Sequence, residues 1–229
     1  MPADVSRLSV RARAVARLFH HFGVTAMHIG LSLLFGALLA LCSLGQPAHA
    51  QPDWVAALRQ GGHVIVFRHG ATHNDQADTD PLNLDNVAKQ RQLNDAGRAK
   101  HKEIGEVFRK LKIPVGSVHT SKIYRAIETG KLMFPDLTPQ ATIDLVEVGQ
   151  VNTPVENNRR LAVIRKLAAT VPPAGTNVVI VTHRPNILDG FGKDWFDVKE
   201  AEASIFKPDG NGYKLVVRVQ GDEWAKLAN

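Results

Sequence analysis

The sequence predicts an α/β protein, a three-layer α/β/α sandwich with a mostly parallel central sheet and a C-terminal antiparallel hairpin. Three observations predict it. Residues 177–182, Asn-Val-Val-Ile-Val-Thr, form a nearly unbroken apolar run, as expected of a strand covered on both faces of a parallel sheet. Segments of helical spacing alternate with such short runs along the chain. Near the end, two strand-like runs flank Pro208-Asp209-Gly210-Asn211-Gly212, a turn composition that joins antiparallel strands.

The first fifty residues stand apart from this pattern. Arg7, Arg11, Arg13 and Arg17 open the chain, an apolar run extends from Ile29 to Leu44, and Ala48-His49-Ala50 closes the segment. A basic start, a short apolar core and a small-x-small site together make a secretory signal peptide, with cleavage expected after Ala50. The core is short for a permanent membrane span; a retained anchor is the alternative. Met27 offers a second start, and Cys42 raises lipidation, although Leu41 before it is larger than lipoprotein processing normally takes.

Residues 51–229 suit one domain with a single sizeable core. They hold no cysteine, so no disulfide framework supports the fold. The whole chain carries a formal charge of +6, but the first fifty residues hold four arginines and one aspartate, which leaves 24 basic against 21 acidic residues, or +3. That is too mild for a general nucleic-acid binder. It is compatible with a local basic pocket for an anionic small molecule.

In chain order, residues 63–67 read as a buried strand after Gly61-Gly62. Residues 94–112 read as a helix, with Ile104, Val107, Phe108 and Leu111 on one face, Asn94 or Asp95 as cap and Pro114 beyond the end. A second strand is expected at 117–120, a helix at 124–134 and a third strand at 141–146. A further helix is expected at 156–171, with Leu161, Ile164, Leu167 and Val171 on one side. The strand at 177–182 follows, and the hairpin pairs 203–207 with 213–219. Residues 71–92 are polar, contain Pro81 and keep no period, so a long loop is expected where open α/β sheets place their ligands.

Arg68-His69-Gly70 stands at the carboxyl end of the first strand and His183 at the carboxyl end of the 177–182 strand. In a parallel sheet those ends share one edge, and Arg125, at the start of the helix after the second strand, falls on the same edge. Arginine offers paired donors that match phosphate oxygens. A neutral imidazole can attack phosphorus to give a phosphohistidine that water hydrolyses. Arg68, Arg125 and a protonated His183 would meet the charge on the equatorial oxygens, so neither a metal nor another cofactor is required. The leaving oxygen needs a proton, and Glu147 lies where a carboxylic acid could supply it. Glu128 and Asp144 are its competitors.

Arg68-His69-Gly70 after an apolar strand resembles the R-H-G signature of the histidine phosphatase superfamily, which includes the phosphoglycerate mutases. Leu93-Asn94-Asp95-Ala96-Gly97-Arg98 looks like its L-T-x-x-G-R helix start, and Thr120-Ser121-Lys122-Ile123-Tyr124-Arg125-Ala126-Ile127-Glu128-Thr129 is similar to its S-S-x-x-x-R-A-x-x-T segment. Val181-Thr182-His183 resembles the segment of the second histidine, and Leu145-Val146-Glu147 matches an L-x-E pattern of the mutase-like branch. The resemblance implies that His69 is the nucleophile, that Arg68, Arg125 and His183 hold phosphate, and that Glu147 is the proton donor. Ala71-Thr72-His73-Asn74 departs from the mutase continuation, so Thr72 and Asn74 are carried over only as possible phosphate ligands. The long mutase insertions are missing, and a signal peptide fits glycolysis badly.

The expected function is therefore an exported, metal-independent phosphomonoesterase, periplasmic or secreted. Its substrate would be a phosphorylated small molecule, glycan or lipid. It would use no nucleic acid and, once the signal is cut, no stable membrane insertion. A catalytically silent phosphate- or phosphosugar-binding protein is the alternative. Nothing in the sequence sets the oligomeric state. His63, His101 and His119 are expected to be structural or exposed, and His73 is open. Asp75, Asp78 and Asp80 lack the glycine and terminal glutamate of an EF-hand loop and read as a solvated acidic loop. Arg159-Arg160 could meet a second anionic group, with a solvated face as the default. Trp195 and Phe196 could wall the crevice or pack in the core.

Overall fold

The computed structural model describes residues 51–147, 153–209 and 211–228. The expected signal segment, residues 1–50, lies outside the described residues.

Six strands form one sheet: β1 (Val64–Arg68), β2 (Val115–Ser121), β3 (Gln140–Thr142), β4 (Asn177–Thr182), β5 (Ala203–Pro208) and β6 (Tyr213–Val219). Their order across the sheet is β3-β2-β4-β1-β5-β6. β3, β2, β4 and β1 run parallel, whereas β5 is antiparallel to β1 and to β6. The helices are α1 (Asp53–Gln60), α2 (Asp95–Lys110), α3 (Tyr124–Met133), α4 (Pro154–Ala169), α5 (Arg184–Phe191) and α6 (Glu223–Leu227).

The strand period explains the three layers. Along β1, Ile65 and Phe67 pack on one face with Val55 of α1, Ile104 and Phe108 of α2, Met133 of α3 and Trp224 of α6. Val64 and Val66 face the other way, against Ile164 and Ala168 of α4 and Ile187 of α5. Both faces of the central strands are covered, which is why β1 and β4 read as continuous apolar runs. Phe108 is fully enclosed, with ring centroids 4.9 Å from Trp224, 5.4 Å from Phe134 and 6.3 Å from Phe67. Phe108→Ala should therefore cost ~3–5 kcal/mol, because the removed ring leaves a cavity its aromatic neighbours fill only in part. A lower urea midpoint at unchanged slope is the expected reading.

The third strand is shorter than the 141–146 expected. Pairing ends at Thr142, whose hydroxyl accepts from the Asp144 amide, and residues Ile143–Leu145 turn as a 3₁₀ helix. The helix expected at 156–171 begins two residues earlier. Thr153 caps it through the Glu156 amide and Pro154 stands in its first turn, a position where the missing N–H costs nothing. It ends at Ala169, so Val171 leaves the apolar face and is 65% exposed. Helices α1, α5 and α6 were not expected, being only eight, eight and five residues long. Among the described residues, no helix is long and apolar enough to cross a membrane.

Candidate active site

The carboxyl ends of β1 and β4 deliver their histidines side by side. His69 follows β1, with its amide bonded to the Thr182 carbonyl at 3.0 Å, and His183 follows β4 as the residue before α5. The two buried rings lie 5.1 Å apart, centroid to centroid, at 62°. Nδ1 of His69 is 2.7 Å from the Gly70 carbonyl. A carbonyl only accepts, so Nδ1 carries the proton and the neutral ring keeps its lone pair on Nε2. Burial is the main cause that lowers the His69 pKa well below the ordinary 6.5, helped by the charges of His183, Arg125 and Arg68.

Arg125 is the buried cation of the site. Its Nη2 binds Glu147 and its Nη1 lies 3.0 and 3.2 Å from the two oxygens of Asp78. Glu147 Oε1 is also 3.1 Å from His183 Nδ1. Burial pushes the Glu147 carboxyl up, but His183 and Arg125 together outweigh it and hold the group well below the usual carboxylate range. For His183, burial wins over Glu147 and lowers the pKa. The protonated His183 expected from the sequence is thus disfavoured in the unliganded site; a bound phosphate dianion would favour it. Nε2 of His183 and the Nε atoms of Arg68 and Arg125 are buried and have no hydrogen-bond partner among the described residues.

The segments around the site act as its scaffold. Asn94 caps α2 by accepting from the Gly97 amide, and its side-chain amide donates to the Thr72 carbonyl, which ties the start of α2 to the loop after His69. A Cβ on Gly97 would come 2.2 Å from the Ala71 carbonyl oxygen, and one on Gly70 would come 2.8 Å from the His101 ring. Only glycine permits both approaches. Thr129 of α3 accepts from the Gly70 amide at 3.3 Å, and Glu128 binds Arg98 at 2.8 Å, joining α3 to α2. The Thr182 hydroxyl donates to the Leu145 carbonyl and the Asn186 amide to the Val146 carbonyl, and this fixes the chain just ahead of Glu147.

The structure brings together His69, His183, Arg125 and Glu147. Arg68 borders them, with Nη1 donating to the Val198 carbonyl at 2.8 Å and Nη2 3.4 Å from Glu200. Thr72 is buried and bridges Leu93 through its backbone, whereas Asn74 is exposed and makes no hydrogen bond to the pocket residues. The two rivals of Glu147 are engaged elsewhere: Glu128 on Arg98 and Asp144 on Arg159. The competitor that sequence reasoning missed is Asp78. The loop at 71–92 is not featureless: the Thr72–Leu93 bridge closes its base and residues Val87–Lys89 make a 3₁₀ turn. Asp78 turns inward, only 12% exposed, and also accepts from the Arg91 amide. Of the outlying residues, Trp195 packs in the core and bonds Ser204, while Phe196 is 67% exposed. Arg159 and Arg160 are taken up by Asp144 and Glu156.

One cluster of the described residues has metal-ligand reach: His69, Glu147 and His183 offer ligand atoms within 4.8 Å of one another. Arg125 already occupies Glu147 and adds positive charge beside any such ion, so the donor set suits an anion better than a cation.

No protein-family model matches the sequence, and no curated protein resembles it closely enough to count as a relative. Solved structures do match. The protein histidine phosphatase SixA complexed with tungstate superposes with a TM-score of 0.50 at 15% identity, over 70% of this chain and 98% of that one. An Escherichia coli K-12 protein provisionally assigned as an alpha-ribazole-5'-P phosphatase superposes with a TM-score of 0.52 at 14% identity, over 70% and 98%. The fold is that of the histidine phosphatases. Within that fold, the four residues over the β1 and β4 ends are supplied by this chain's own sequence, and their chemistry is read from their geometry.

His101 extends the same design into stability. It is buried under Gly70, its Nδ1 bonds the Gly97 carbonyl, and burial lowers its pKa to about 4. A histidine whose folded pKa is depressed binds fewer protons folded than unfolded. Its contribution is therefore complete above the ordinary 6.5 and is lost as pH falls from there toward 4. For His101 alone that is roughly 3 kcal/mol, and His69 and His183 shift in the same direction. Urea midpoints at neutral pH and near pH about 4.5 should differ accordingly.

Proposed function

We propose that this chain is a phosphomonoesterase that acts through a phosphohistidine on His69 without a catalytic metal. The observation that carries the reading is the buried His69, its Nδ1 2.7 Å from the Gly70 carbonyl and its ring 5.1 Å from that of His183, beside the buried Arg125. A similar fold binds tungstate, a tetrahedral oxyanion, in the SixA complex.

Substrate phosphate would displace Asp78 and Glu147 from Arg125, since its oxygens suit the same guanidinium. The ester monoanion, with a second pKa of about 6, brings a proton that the released Glu147 can take up. Nε2 of His69 then attacks phosphorus in line, the P–O bond to the leaving group breaks, and Glu147 protonates the departing oxygen. Arg68, Arg125 and His183 stabilise the equatorial oxygens. In the second half, Glu147 takes a proton from water, water attacks phosphorus, and the P–N bond breaks to release phosphate and neutral His69.

The test is release of nitrophenolate from p-nitrophenyl phosphate by the purified protein in EDTA, from acid to neutral pH. Turnover that survives EDTA and is highest below pH about 6, where the monoanion prevails, is expected. Folded protein that binds vanadate tightly but turns nothing over would favour the silent binding protein. Loss of activity in EDTA, restored by a divalent ion, would assign the His69–Glu147–His183 cluster to a metal instead.

The N-terminal segment supports action outside the cytoplasm, and the substrate class remains a phosphorylated small molecule, glycan or lipid. Cell fractionation with sequencing of the mature N-terminus tests export, with Gln51 expected as the first residue.

A further inference from the structure

A second basic site adjoins the first. An open cavity of about 330 Å³ is lined by Arg68, Arg184, Phe196, Asp197, Val198 and Lys199. His69, His183 and Arg125 do not line it, so an anion held there is distinct from the transferred phosphoryl group. Arg68 borders both sites and Arg184 directly follows His183 in the chain, which sets this cavity beside the first site.

Arg184 is held in place without a carboxylate partner, and Arg68 is shared with Glu200. Arg184 is fixed by two bonds to the Phe196 carbonyl, 3.1 Å from Nε and 2.8 Å from Nη2, and its guanidinium carbon lies 5.1 Å from the Phe196 ring centroid. Those bonds leave Nη1 and one proton of Nη2 free for a ligand. Among the described residues, neither Arg184 nor Lys199 has a carboxylate within ion-pair distance. The one acidic residue in the lining, Asp197, is engaged by Arg218 at 3.0 Å, and Glu200 lies on Arg68. Phe196 leaves a large ring surface in contact with solvent at the same place. Burial is the main cause that lowers the Arg68 pKa; Glu200 opposes it, and the charges of Arg184 and Arg91 add to it.

We propose that Arg184, Lys199 and the shared Arg68 bind a second anionic group, a phosphate or a carboxylate, carried on the leaving group of the substrate, with Phe196 covering the intervening carbon frame. The inference rests on the phosphatase reading and narrows its substrates to phosphomonoesters with two anionic ends.

Two substrate pairs test it with the purified protein: fructose 1,6-bisphosphate against fructose 6-phosphate, and phosphoglycolate against glycolaldehyde phosphate. At least one pair should favour the doubly anionic member about tenfold or more in kcat/KM, the scale of one charge-assisted hydrogen bond. The pair that responds identifies the second group as phosphate or carboxylate. In Arg184→Ala the preference should fall to about twofold or less, and Lys199→Glu should reduce it as well; each ratio carries its own control for partial misfolding. Ratios near one for both pairs in the natural protein, or a preference untouched by both variants, would overturn the proposal and mark the cluster as solvated surface. Calorimetric titration of the same four compounds into His69→Ala separates the two readings. A binding preference without turnover in the natural protein keeps this site and removes the phosphatase reading; turnover without preference does the reverse.

Discussion

His69→Ala is expected to abolish turnover of phosphomonoesters, by more than about a thousandfold, while the protein stays folded and still binds phosphate. The asymmetry follows from where the ring sits. In the proposed mechanism His69 supplies the nucleophilic nitrogen, whereas the charges that would hold phosphate belong to Arg125, Arg68 and His183, none of which bonds to the His69 side chain. Its backbone is secured independently, through the Thr182 and Ala201 ladder contacts. Rapid acid-free quenching of the natural protein with labelled substrate should trap a phosphoryl group that is stable to alkali and labile to acid, on the peptide that contains His69. The variant should give none. Residual turnover within tenfold of the natural protein would make another group the nucleophile, or make water the direct attacker, and the proposed chemistry would be wrong.

Much of the fold was legible because its signals are local. β1 and β4 carry consecutive Val and Ile residues since both faces of each are buried, and such a run admits few other readings. Helix α2 announced itself through Ile104, Val107 and Phe108 on one face and Asn94 at the cap. The short helices gave no comparable signal, since α1 and α5 complete only two turns and draw their stability from packing. His69, Arg125, Glu147 and His183 could be named as candidates because each lies in a segment of recognisable pattern. Asp78 could not. It lies in a loop without period, and what turns it inward is the Thr72–Leu93 bridge, the Arg91 amide and Arg125 itself, contacts that exist only once the chain has closed. Its neighbours Asp75 and Asp80 have the same sequence character and different surroundings: Asp75 is exposed and Asp80 accepts from Asn86. The ionisation of Glu147 was equally hidden, because it depends on His183 and on the Arg125 guanidinium, which other elements of the fold supply.

That pair of carboxylates on one arginine leads to the second large effect. Glu147→Gln should depend on the leaving group. An alkoxide cannot depart without a proton, so alkyl phosphates should lose about 10²–10⁴ in kcat. The nitrophenolate ion departs unaided, so p-nitrophenyl phosphate should lose about tenfold or less. Asp78→Asn should behave differently. Asp78 holds Arg125 Nη1 at 3.0 Å and on the proposed mechanism would have to leave before phosphate binds there, so its neutral replacement removes a competitor and like charge together. The expected result is a lower KM, by about tenfold, on both classes of substrate and with no leaving-group dependence. The opposite pattern, with leaving-group dependence in Asp78→Asn and not in Glu147→Gln, would move the proton to Asp78. The chemistry at His69 would stand unchanged, and Glu147 would become the positioning residue that orients Arg125 and His183.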